Sequence, residues 1–159
     1  MKNIFLIAAS LLLCLLSASV LPSDPDKRQV LLLNTMQRHH ILSEMRALLQ
    51  GTQVILQGLT NEDIPTIVKQ ARALGTEMPH KGENHLRSVL PDEFVKMGMS
   101  VHQGFDQIAA EAESSQDVKL ILKLLSNTTQ TCVACHASYQ IQVKTSPENQ
   151  KLHAEHDKH

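Results

Sequence analysis

Aromatic residues are nearly missing from this chain: 159 positions hold three phenylalanines, one tyrosine and no tryptophan. Aromatic rings are the largest apolar bodies a core can use. The core must therefore be built from Leu, Ile, Val and Met, or a ring must come from outside the polypeptide. Spaced cysteines are missing too. Of three in all, Cys14 sits in the first stretch and the others form one close pair, Cys132 and Cys135, which excludes a domain stapled by disulfides. There is no clustered positive charge, and the net charge is −1, so a nucleic-acid footprint is not expected. No stretch is read as alternating with strand period, and the expected class is all-α.

What is present begins with MKNIFLIAASLLLCLLSASV. One lysine, an apolar run from Ile4 to Leu16 and the small residues Ser17, Ala18 and Ser19 have the layout of a secretory signal peptide, residues 1–19, cleaved after Ser19. The run is shorter than the ~20 apolar residues of a membrane span. A lipoprotein reading would modify Cys14, but bulky Leu13 precedes it. The expected location is the periplasm. Residues 20–145 would form one domain, burying about two-thirds of its unfolded surface. Residues 146–159 would be a polar tail, in which His153, His156 and His159 are spaced for at most weak metal binding.

Four helices are expected. The first spans Lys27 to Leu59, with an apolar stripe of Leu31, Leu42, Met45, Leu49, Leu56 and Leu59, and Ile41, Leu48 and Ile55 beside it. Thr60 to Asp63 caps a second helix running to about Glu77, with Pro65 in its first turn. Residues 78–91 form the longest connection. Pro91-Asp92-Glu93 opens a third helix with Phe94, Gly98, Val101, Phe105, Ile108 and Ala112 facing inward. The fourth runs from Asp117 to about Val143. Two short links and one longer one suggest an antiparallel four-helix bundle.

The chemistry lies in Cys132-Val133-Ala134-Cys135-His136. Two cysteines three apart on a helix lie on one face and can each add to one vinyl group of a porphyrin, and the following histidine comes under the ring to bind iron. Cys-x-x-Cys-His is the attachment signature of c-type haem, and histidine is a usual proximal ligand. A thiol oxidoreductase would place its reactive cysteine at a helix N-terminus, where the dipole lowers the pKa; here helix interior precedes the motif. Zinc would need two further ligands, and His80, His85 and His102 form no second paired knuckle. Haem also accounts for the scarcity of aromatic side chains.

An exported, all-helical chain with one such motif in its fourth helix resembles the class II cytochromes c, meaning cytochrome c′ and its low-spin relatives. The start Lys27-Arg28-Gln29 is similar to the family's Arg-Gln near that point. The resemblance implies one haem c, with thioethers at Cys132 and Cys135 and His136 as fifth iron ligand. It implies a carrier of single electrons rather than an enzyme, with redox partner proteins of a respiratory chain and a homodimer as an open alternative. Family members differ over the other face of the iron. Counting from the Arg-Gln start puts Leu32 there, whereas counting back from the helix end brings Met36, His39 and His40 near. The ordinary reading of those three is partly exposed helix surface. A leucine over the iron would favour binding of small gas ligands, nitric oxide or carbon monoxide. Leu31, Thr35 and Arg38 lie on the apolar stripe, where Arg38 would suit a haem propionate. His102, Met97 and Met99 are read as structural.

Overall fold

The computed structural model describes residues 26–78 and 84–144. The expected signal peptide and tail, with Cys14, His80, His153, His156 and His159, lie outside the described residues. The chain is mostly helical: strand β1 (Gln29–Leu33), α1 (Thr35–Thr60), α2 (Ile64–Leu74), the single turn α3 (Asn84–Arg87), α4 (Asp92–Ser114), α5 (Val118–Ser138) and strand β2 (Tyr139–Val143). This confirms an all-α core and corrects both of its ends.

The first helix starts at Thr35 rather than Lys27 because Asn34 stops it. The Asn34 side chain accepts from Gln37 N at 2.8 Å, and the Gln37 side chain accepts from Asn34 N at 3.0 Å, a reciprocal cap that satisfies two backbone donors. The residues before it are strand, with Leu31 and Leu33 buried and Val30 and Leu32 exposed. Because Gln29-Val30-Leu31-Leu32-Leu33 is apolar at four successive positions, its alternation appears only as burial. The fourth helix likewise ends at Ser138, and Tyr139 to Val143 pairs in parallel with β1, from Gln29↔Tyr139 to Leu33↔Val143. A parallel pair needs a long crossover, and here the crossover is every helix of the fold.

Packing follows chain order: α1 lies on α2, α2 on α4 and α4 on α5, whereas α1 and α5 scarcely touch. The seam of α1 is Ile41, Leu48, Ile55 and Leu59, all buried, while Leu49 is 73% exposed and Leu56 also reaches solvent. The stripe read from sequence is thus rotated. Glycines cause the rotation, since Gly51 lies under Leu74 and Gly58 under Ile67, and α2 therefore comes down on that flank of α1. Ile67, Ala71, Phe105, Ile108, Ala112 and Ile121 fill the main core, and a second cluster of Leu31, Leu33, Ile41 and Leu86 lies beneath the strands. Met45 packs against both.

Gly58 yields a test of this contact. Alanine in a helix is normally worth ~1 kcal/mol over glycine, but a Cβ here would sit 2.7 Å from Ile67 Cγ1 and 3.4 Å from the Asp63 carbonyl. Gly58→Ala is therefore expected to destabilise, by about 1–3 kcal/mol of overpacking, seen as a lower urea midpoint at unchanged slope.

Candidate functional site

The motif Cys132 to His136 occupies the end of α5. Asp117 starts that helix by accepting from Lys119 N and Leu120 N. Ile121, Leu125 and Thr128 then set which face is buried, and Thr128 is seated against Gly104 of α4. Cys132 is four residues beyond Thr128, one turn along the same face. Its Sγ lies 3.7 Å from the Thr128 carbonyl, and the side chain packs at the edge of the main core. Cys135 is three residues further on the same face, half-buried like Cys132, and both thiols are free. His136 is exposed. The structure therefore keeps the three motif residues on one stretch of regular helix, two turned toward the core and the third at its rim.

Burial raises the pKa of both thiols, and for Cys135 the neighbouring Cys132 adds to the rise. The helix dipole works in the same sense, because its C-terminal end is negative and disfavours a thiolate. Exchange chemistry needs the opposite arrangement, with the attacking sulfur at a positive helix end. With both thiols free, alkylation at pH 7 is expected to run slower than on unstructured cysteine, and a rate above that reference would restore the oxidoreductase reading.

The flank of α1 turned away from Gly51 and Gly58 carries Leu42, Leu49 and Leu56, spaced by seven residues and hence aligned along the helix. The flank of α5 turned away from Gly104 carries Leu122 and Val133, the latter 69% exposed. Helix α1 packs on α2 and α5 on α4, while α1 and α5 scarcely touch. Each such leucine taken out of water is worth ~1.5–3 kcal/mol. The residues fit a haem in donor type and in spacing.

Of the four residues considered for the other face of the iron, Leu32, Met36 and His39 are exposed and His40 is half-buried. Leu32 lies on the outward side of β1, 53% exposed, Met36 in the first turn of α1 is 77% exposed, and Thr35 and Arg38 are exposed as well. His102 is buried, with Nδ1 2.7 Å from the Leu74 carbonyl and Nε2 3.0 Å from Glu44 Oε1, so both ring nitrogens are engaged. His85 falls in α3. Among the described residues, no group of three or more His, Cys, Asp or Glu is placed to hold a metal ion, and no helix is long and apolar enough to cross a membrane.

An open groove of about 650 Å³ lies between the start of α2 and the end of α4, lined by Glu62, Ile64, Val68, Ala112 and Gln116 among others. By helix rise it is roughly 20 Å from Cys132, and it has neither thiol nor imidazole on its walls. No protein-family model matches the chain, and neither a curated protein nor a solved structure matches it.

Proposed function

We propose that the chain is a periplasmic mono-haem c-type cytochrome, a carrier of single electrons built as an antiparallel four-helix bundle of the cytochrome c′ type. The observation that carries this reading is the Cys132, Cys135 and His136 set on one helix, with both thiols free and half-buried. Cys132 and Cys135 would hold the haem by thioethers and His136 would bind its iron. The bound group supplies a reversible one-electron change at the metal, with a potential tuned by axial ligand and burial. The protein holds the ring and leaves an edge for partners of a respiratory chain, whose encounters are small and transient.

Support for the antiparallel order comes from the contacts themselves. Gly51 meets Leu74 and Gly58 meets Ile67, so one sequence rises as the other falls. Arg72 meets Glu113 at 2.6 Å and Thr76 meets Asp106 at 2.7 Å, with the same reversal. Only short links join α1 to α2 and α4 to α5.

A second reading is that a five-coordinate iron binds nitric oxide or carbon monoxide, since an apolar residue such as Leu32 over the iron would leave that side unligated, whereas Met36 or His39 there would favour transfer. Optical spectra of the exported protein decide between them, a sharp low-spin band meaning six ligands and a high-spin pattern five. Pigment that leaves the denatured chain on acid-acetone extraction, or no pigment at all, would remove both readings.

A further inference from the structure

The segment ahead of α1 reaches across the molecule to the end of α5. Arg28 Nη1 donates to the backbone carbonyl of His136 at 3.1 Å and to that of Tyr139 at 3.4 Å. On its other side the guanidinium is gripped by Asp26, Nε at 2.9 and 3.0 Å from the two carboxylate oxygens and Nη2 at 2.5 Å from Oδ2. Asp26 also accepts from Arg28 N at 3.1 Å. Gln140 Nε2 donates to the Arg28 carbonyl at 3.3 Å, and at the next residue the strand pairing begins.

A helix leaves its last four carbonyls without intrahelical donors. On α5 these start at Cys135, whose carbonyl accepts from Tyr139 N. The His136 carbonyl is next, and a cation 108 residues away in sequence fills it. Hydrogen bonds from an ionised donor are about twice as strong as neutral ones, and a cation suits the negative end of the dipole.

We propose that Arg28, held by Asp26, is the positioning residue for His136: it fixes the last turn of α5 so that the imidazole leaves the helix in one direction. The inference rests on His136 being the iron ligand. Arg28 touches no part of the haem site except backbone, and an exposed ion pair adds little to global stability. Its effect is local. Arg28 depresses the Asp26 carboxyl to about 2 from 3.8. A depressed carboxyl supports the folded state above its ordinary value, and the support is lost as pH falls toward 2, so the clamp is intact at neutral pH.

The test uses the exported, haem-loaded chain as wild type, Arg28→Ala and Arg28→Lys. Amide exchange at residues 137 to 140 is expected to accelerate about tenfold in Arg28→Ala, with α2 and α4 amides unchanged. The acid midpoint at which the Soret band reports loss of His136 from iron is expected to rise by about half a unit to one unit. Arg28→Lys should recover part of both, because it keeps the charge and loses the fork. Unchanged exchange at the end of α5, acceleration shared by every helix, or an acid midpoint that does not move would each overturn the inference while leaving the cytochrome reading intact. Wild type that carries no haem overturns the cytochrome reading, and the inference with it.

Discussion

Replacing Cys132 and Cys135 together with alanine is expected to leave the denatured polypeptide with no haem at all, where the wild type keeps one through acid-acetone extraction. The single variants should each keep a reduced amount, held by one thioether, with the Cys132→Ala protein the more damaged in folding. Cys132 packs at the edge of the main core and Cys135 does not belong to it, so truncating Cys132 also removes core contacts. His136→Ala should separate attachment from ligation. Its two thiols are intact and haem stays covalently bound, but the absorption spectrum loses the signature of imidazole coordination. The measurements are intact mass under denaturing conditions and the optical spectrum of the folded protein. Covalent haem in the double alanine variant would sink the assignment.

The second large effect concerns His102. A carbonyl only accepts, so His102 Nδ1 must carry a proton toward the Leu74 oxygen at 2.7 Å. The 3.0 Å contact between Nε2 and Glu44 then requires one further proton between ring and carboxylate. The ring ties the end of α2, through a backbone carbonyl, to α1 and α4 at a point where its side chain is only 4% exposed. His102→Ala leaves Glu44 facing a void and takes the Leu74 carbonyl's side-chain donor. Breaking a buried pair by removing one member costs about 3–5 kcal/mol, and Glu44 at 21% exposure puts the expected loss at the lower end. Urea unfolding is the measurement. His102→Gln should regain part of it, since an amide can donate to one of the two acceptors, and an alanine variant within about 0.5 kcal/mol of wild type would refute the clamp.

Strand β2 shows how tertiary pairing can be overlooked in a pattern that was in plain view. Tyr139-Gln140-Ile141-Gln142-Val143 alternates strictly, yet a five-residue run following a long helix reads as its continuation, since nothing local supplies the partner strand. That partner is β1, on the far side of the chain. Arg28 was read as the opening of a helix for the same reason, because its acceptors are the carbonyls of His136 and Tyr139. The capping pair Asn34 and Gln37, by contrast, is local, an asparagine three residues before a glutamine, yet the apolar pattern from Lys27 to Leu59 reads as one helix running through it. The choice between the stripes on α1 turned on which flank α2 would take. Gly51 and Gly58 mark that flank only once Leu74 and Ile67 are known to rest there.

The sequence by itself determined the helical class and the two cysteines with their histidine on one helical face, because helix periodicity and the spacing of the motif are properties of neighbouring residues. Only the tertiary structure decided that the motif ends against a strand pair, that a distant arginine holds its last carbonyls, and that α2 takes the flank of α1 marked by Gly51 and Gly58. Each of those depends on contacts between segments far apart in the chain, and the energy that selects them comes from how whole helices pack, a quantity no local run of residues contains.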